Sequence, residues 1–100
     1  MLNNNSTAPC QTNKSDTINL DELAPQWQVV LFNDPVNSVQ HVVMALMTVF
    51  KHPVALATKL MLEAHKTGRS IVEVEDKEQA LAHREQLSNL KLTAIAEPTV

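Results

Sequence analysis

Gly68 is the only glycine in the 100-residue chain, and it separates two different patterns of apolar residues. After it, SIVEVE is partly alternating and rich in β-branched residues, which predicts a strand from Ser70 to Glu75. Before it, residues recur at the spacing of one helix face: Ala57, Leu60, Met61, Ala64 and His65. Gly68 therefore predicts a helix end in the left-handed conformation. One glycine also excludes a glycine-rich phosphate loop.

The segment before this helix predicts a strand, a turn and another helix. QWQVVLF, from Gln26 to Phe32, is β-branched and aromatic and is bounded by Pro25 and by the turn residues 33–35. Asn37 or Ser38 can cap the helix that follows. Its apolar positions recur at helical spacing: Val39, Val42, Val43, Leu46 and Phe50.

The remaining helix-breaking and helix-capping residues complete the predicted order of helices and strands. His52-Pro53 ends the first helix, and Asp76 with Gln79 resembles a capping box that opens a third. The third helix has four apolar positions: Ala80, Leu81, Leu87 and Leu90. The segment 92–97 (LTAIAE) predicts a closing strand. The order strand, helix, helix, strand, helix, strand predicts an α+β fold with three helices packed against a small antiparallel three-stranded sheet.

Composition divides the chain into a tail and one domain. Residues 1–22 are rich in Asn, Ser and Thr without apolar periodicity, so we expect a flexible tail. Residues 23–98 form the predicted domain, and 100 residues leave room for only one. Hydrophobic residues make up 44% of the chain, which is enough for a core, although the only aromatic residues are Trp27, Phe32 and Phe50.

Charge and cysteine content exclude several classes of function. A net charge of −3 without a basic run argues against a nucleic-acid or anionic-membrane partner. The single cysteine, Cys10, cannot form an internal disulfide, so we expect a reducing, cytoplasmic compartment. No apolar stretch reaches the about 18 residues of a membrane span.

The enzyme hypothesis also finds little support. Cys10 lies in the predicted tail, which makes it a poor nucleophile. The four histidines are each alone in their segments: His41, His52, His65 and His83. Since a zinc site needs several Cys or His ligands at short spacing, we expect no metal, no cofactor and no catalysis.

A binding site at residues 33–35 is the alternative. Asn33 and Asp34 directly follow a predicted strand, and both side chains can accept hydrogen bonds from an amine. Asn-Asp-Pro is also ordinary turn chemistry. His65 is equally explained as a half-buried histidine near a helix C-terminus, and Met61 as a core residue. The residues alone leave these alternatives open.

Three motifs together resemble the ClpS family, adaptors of the AAA+ Clp proteases that recognise N-degrons. They are VVLFNDPVNSVQHVV, ATKLMLEAHKTGRSIV and LTAIAEP, and the resemblance extends from about residue 27 to residue 97. The second motif is the most specific, because Met61, His65 and Gly68 stand at the family's spacing.

The resemblance implies a pocket for the first residue of a substrate protein. Asn33, Asp34 and His65 would hold its free α-amino group. The side chain, a Leu, Phe, Tyr or Trp, would enter an apolar pocket. That pocket would be lined by Val39, Val42, Met61, Ala64 and Leu92.

The resemblance also implies a partner, the N-terminal domain of a ClpA- or ClpC-type ATPase. It would dock near Glu78 and His83, and the tail would be presented to it.

Two positions depart from the family pattern. Pro35 stands where a second acidic residue is frequent, and Val39 where Met is frequent. We therefore expect a changed first-residue preference. The alternative function is a docking module that modulates a Clp ATPase without recognising N-degrons.

Overall fold

A three-stranded antiparallel sheet forms one layer of the protein. The computed structural model describes residues 24–100, with strands β1 (Trp27–Phe32), β2 (Arg69–Glu75) and β3 (Ala94–Pro98). β1 lies in the centre, because Val30 pairs with Ile71 of β2 and with Ile95 of β3. The predicted tail and Cys10 lie outside the described residues, so the tail stays a prediction.

Three helices form the second layer: α1 (Val39–Phe50), α2 (Val54–Thr67) and α3 (Lys77–Asn89). The predicted order of strands and helices and the α+β class are therefore confirmed. α1 ends where Lys51 adopts a left-handed conformation with a φ of 62°, two residues before Pro53.

Local hydrogen bonds explain where the helices begin and end. The Ser38 hydroxyl accepts a bond of 3.1 Å from the His41 N–H at the start of α1. The Asp76 carboxylate accepts one of 2.8 Å from the Gln79 N–H at the start of α3. Gly68 ends α2 with a φ of 97°, a conformation that other residues adopt only with strain. The predicted caps are thus present.

The core lies between the helices and one face of the sheet. Successive strand residues point to opposite faces, so Val29 and Leu31 enter the helix-side core while Val30 faces the other side. The fully or nearly fully buried helix residues of that core are Ala45, Leu46, Val49, Phe50, Ala57, Ala64, Ala80 and Leu87. Leu81, predicted as an apolar position of α3, is instead 39% exposed.

The closing strand begins two residues later than predicted, so Leu92 precedes it. Lys91 adopts a left-handed conformation with a φ of 70°, and the Leu92 N–H donates to the Leu87 carbonyl at 3.0 Å. These contacts belong to the end of α3. The side chain of Leu92 is therefore turned into the core, where it is 4% exposed.

Candidate functional site

A cavity of about 170 Å³ opens where β1 ends, beside the faces of α1 and α2. It has a polar end and an apolar end. The residues that line it are Leu31, Phe32, Asn33, Asp34, Pro35, Asn37, Val39, Val42, Met61, Ala64 and His65. Of the eight residues predicted for an amine site and a side-chain pocket, all but Leu92 line this one cavity.

A backbone hydrogen bond explains why the 33–35 turn and His65 meet. The Asn33 N–H donates to the Gly68 carbonyl at 3.0 Å. Because Gly68 ends α2 and His65 lies in its last turn, this bond holds the end of β1 beside the end of α2. The left-handed conformation of Gly68 thus turns the chain into β2 and keeps His65 next to the turn.

The turn itself is held by Asp34 and by a residue that the sequence analysis did not assign. One Asp34 carboxylate oxygen accepts from the Val36 N–H at 2.8 Å, and the other accepts from the Asn37 side-chain amide at 2.7 Å. The Asn37 amide also donates to the Lys91 carbonyl at 2.8 Å. Asn37 therefore joins the turn to the α3–β3 connection. Its partner is 54 residues away, so no local pattern could have indicated this contact.

Replacing Asn37 should destabilise the fold. Since two hydrogen bonds are lost at about 0.5–1.5 kcal/mol each, we expect Asn37→Ala to lower the free energy of unfolding by about 1–3 kcal/mol. Urea denaturation measures this. Asn89→Ala, at the exposed end of α3, is the matched control and should change stability by less than about 0.5 kcal/mol. Equal effects of the two substitutions would contradict the role assigned to Asn37.

The polar end of the cavity carries one formal negative charge. Asp34 is the only acidic residue among the lining residues, and none of these is Lys or Arg. Within residues 24–100 the ion pairs are Arg69–Glu97 and His83–Glu75, and Asp34 takes part in neither. Each carboxylate oxygen has a second lone pair, so Asp34 can still accept a bond from a cation.

His65 differs from the other three histidines. His41 lies 2.7 Å from the Leu90 carbonyl and His52 lies 2.8 Å from the Val72 carbonyl. His83 lies 2.7 Å from the Glu75 carboxylate. In the described part of the chain, the exposed ring of His65 makes no such bond and instead faces the cavity. A neutral imidazole there can accept one hydrogen bond.

The apolar end is built by the facing sides of α1 and α2. Met61 and Ala64 are 8% and 3% exposed and form the floor. Val42 is half-buried and continues the wall. Val39 stands at the first position of α1 and is 53% exposed, so it lies at the mouth of the cavity.

The two residues predicted for ATPase docking lie elsewhere, on α3. Glu78 is exposed in the first turn of that helix. His83 is half-buried: its ring is 4.8 Å from that of Phe50, and it bonds to Glu75. At 3.6 residues per turn, positions five apart do not share a helix face. The two side chains therefore do not form one patch.

Comparison with known proteins decides the family. The model of the family described as "ATP-dependent Clp protease adaptor protein ClpS" matches residues 22–94. The chain belongs to the ClpS family. A ClpS adapter protein from Synechococcus elongatus is 37% identical over 86 residues, covering 85% of this chain and 90% of the relative. One from Synechococcus sp. CC9902 is 41% identical over 76 residues, covering 75% and 73%.

A solved ClpS structure has a similar fold. It is Agrobacterium tumefaciens ClpS2 bound to L-phenylalaninamide, with a TM-score of 0.70 and 25% identity, covering 74% of this chain and 96% of that one. Both relatives are named as adapter proteins of an ATP-dependent Clp protease. Across residues 24–100, no helix has the length and apolar character to cross a membrane. The same residues contain no cluster of three or more His, Cys, Asp or Glu side chains that could hold a metal ion.

Proposed function

We propose that the chain binds the first residue of substrate proteins, through its free α-amino group and its side chain, and delivers these proteins to a Clp ATPase for degradation. One observation carries the proposal: a carboxylate without an ion pair in the described residues and an exposed imidazole stand at one end of an otherwise apolar cavity. The related ClpS2 was solved with L-phenylalaninamide, which carries a free α-amino group next to an aromatic side chain.

The polar end suits a protonated amine. An ammonium group has three donors, and Asp34, the Asn33 side-chain carbonyl and the neutral ring of His65 supply three acceptors. Hydrogen bonds that involve a charged group contribute about 1.5–3 kcal/mol each. Acetylated termini and internal residues lack the cation, so the site discriminates in favour of a free N-terminus.

The apolar end suits the first side chain. Val39, Val42, Met61 and Ala64 offer aliphatic and thioether surface, and burial of a Leu or Phe side chain contributes about 1.5–3 kcal/mol. Added to the amine contacts and reduced by the cost of association, this supports a reversible contact with a dissociation constant of about 1 μM.

The first-residue preference should favour Leu over Trp. A cavity of about 150 Å³ holds a benzene-sized group, and this one, at about 170 Å³, must also take the amine. Pro35 supplies no second carboxylate for the amine, so the amine contacts do not compensate for a side chain that fits poorly. We expect peptides that begin with Leu to bind about tenfold or more tightly than those that begin with Trp. Titration of peptides that differ only in the first residue measures this. Equal affinities for Leu, Phe, Tyr and Trp would contradict it.

Delivery requires a second contact, with the N-terminal domain of a ClpA- or ClpC-type ATPase. Glu78 is exposed on α3 and is not among the residues that line the cavity, so both partners can be engaged at once. His83 is half-buried and contacts Glu75 and Phe50, so less of its side chain is available to the ATPase.

A degradation assay tests adaptor function. A fluorescent reporter that begins with Leu should be degraded by the ATPase and its peptidase only when the chain is added. His65→Ala should slow degradation at subsaturating reporter about tenfold or more, because one acceptor of the amine is lost. Lys66→Ala, an exposed neighbour outside the cavity lining, is the control and should leave the rate unchanged. A chain that alters ATPase activity but is insensitive to His65→Ala is a docking module instead.

A further inference from the structure

A second apolar surface lies beside the cavity, in a groove between α1 and α2. The residues of this α1–α2 groove are Val39, Gln40, Val43, Met44, Met47, Val54, Thr58 and Met61. Three of its apolar side chains are more than half exposed, Val39 at 53%, Met44 at 60% and Val54 at 58%. A groove with exposed apolar walls can receive an apolar side chain of a partner. Its methionines can adapt to apolar partners of different shape.

The groove is continuous with the cavity. Val39 and Met61 line both. A peptide whose first side chain fills the cavity therefore leaves it next to the groove. None of the groove residues is charged, and its polar members are Gln40 and Thr58. A charged side chain placed there loses hydration without gaining an ionic partner, whereas an apolar one gains burial.

Spacing selects which substrate residue reaches the groove. In an extended peptide, side chains one and three point to the same side and lie about 6.6 Å apart, at about 3.3 Å per residue. Val39 and Val43 are one helical turn apart, which is about 6 Å along α1 at 1.5 Å per residue. An extended peptide that follows α1 thus brings its third side chain over Val43 when its first is inside the cavity.

We propose that the α1–α2 groove binds an apolar side chain at the third position of the substrate, so that the chain selects an apolar third residue as well as the first. This inference rests on the proposed function, because it assumes that the first residue occupies the cavity. The second residue faces away from the protein and contributes little to selection.

Three free-amine peptides that begin Leu-Ala-Leu, Leu-Ala-Ala and Leu-Leu-Ala and are otherwise identical test the inference with the full chain. The first should bind about five- to tenfold more tightly than the second, since an open groove buries part of a side chain. The third should bind like the second. Two outcomes overturn the inference and leave the proposed function standing: equal affinity of the first two peptides, and a gain in affinity seen only with Leu-Leu-Ala. Failure of all three to bind overturns both.

The variant Met44→Gln tests whether any gain in affinity for Leu-Ala-Leu comes from the groove. Met44 is exposed and is not among the residues that line the cavity. The variant should reduce the preference for Leu-Ala-Leu to less than about twofold without changing the affinity for Leu-Ala-Ala. Leu62→Gln is the matched control, because Leu62 is 41% exposed on α2 and outside the groove. An unchanged preference in Met44→Gln overturns the inference. So does a change in oligomeric state measured by light scattering, which would make the groove a contact between two copies of the chain.

Discussion

Asp34→Asn is expected to weaken binding of a peptide with a free N-terminal Leu by about 10- to 150-fold. The substitution removes the only formal charge among the residues that line the cavity, and a hydrogen bond to a charged group is worth about 1.5–3 kcal/mol. At about 1.4 kcal/mol for each factor of ten, this gives the stated range. Fluorescence anisotropy with a labelled peptide measures the loss.

Asn37→Ala supplies the control for this experiment. In Asp34→Asn, the new side chain can still accept from the Val36 N–H, but it meets the Asn37 amide with a second donor. Asn37→Ala removes the same bond and keeps the charge. We therefore expect Asn37→Ala to weaken peptide binding much less than Asp34→Asn does. Equal losses of affinity in the two variants would mean that the turn, and not the charge, causes the effect. A dissociation constant for Asp34→Asn within about twofold of that of the unchanged chain would contradict the amine site.

Leu46→Ala is expected to cause the largest loss of stability of the substitutions considered. Leu46 is fully buried in α1 within the core. Removing a buried Leu side chain to Ala typically costs about 2–5 kcal/mol. Domains of this size have only about 5–15 kcal/mol in total. The urea midpoint should therefore fall sharply.

Leu62→Ala provides the matched comparison, because it makes the same chemical change on α2 at a side chain that is 41% exposed. It should cost less than about 1 kcal/mol, since little packing is lost. Equal destabilisation by the two variants would mean that the helices do not present these faces as described.

The sequence predicted the helices and strands well because the residues that begin or end them act on the neighbouring backbone. Asp76 and Gly68 each act on the backbone within a few residues, and each stands at the helix terminus where it was expected. The two left-handed residues without a glycine signal, Lys51 and Lys91, could not be predicted in this way. The missed turn at Lys91 is why the closing strand was placed too early.

The resemblance to the ClpS family predicted which side chains share the cavity, and helical spacing explains why two of them meet there. Met61 and Ala64 reach the cavity because positions three and four apart share a helix face. Leu92 precedes the strand in which the sequence placed it, because the left-handed Lys91 delays the start of that strand. The contacts of Asn37 with Lys91 and of His41 with Leu90 span 54 and 49 residues, so they required the folded chain.

The site depends on the fold through few contacts. The Asn33–Gly68 backbone bond holds β1 against the end of α2, and the Asn37–Lys91 bond holds the turn against the α3–β3 connection. The acceptors proposed for an amine are therefore positioned before a ligand arrives. Such preorganisation lowers the free-energy cost of binding a ligand.

The most direct test of amine recognition compares two peptides that begin with Leu and differ only in acetylation of the α-amino group. Isothermal titration calorimetry on the full chain gives both dissociation constants. We predict a value of about 1 μM for the free amine and binding at least about a hundredfold weaker for the acetylated peptide, because the contacts with Asn33, Asp34 and His65 lose their cation. Equal affinity for the two peptides would contradict the account.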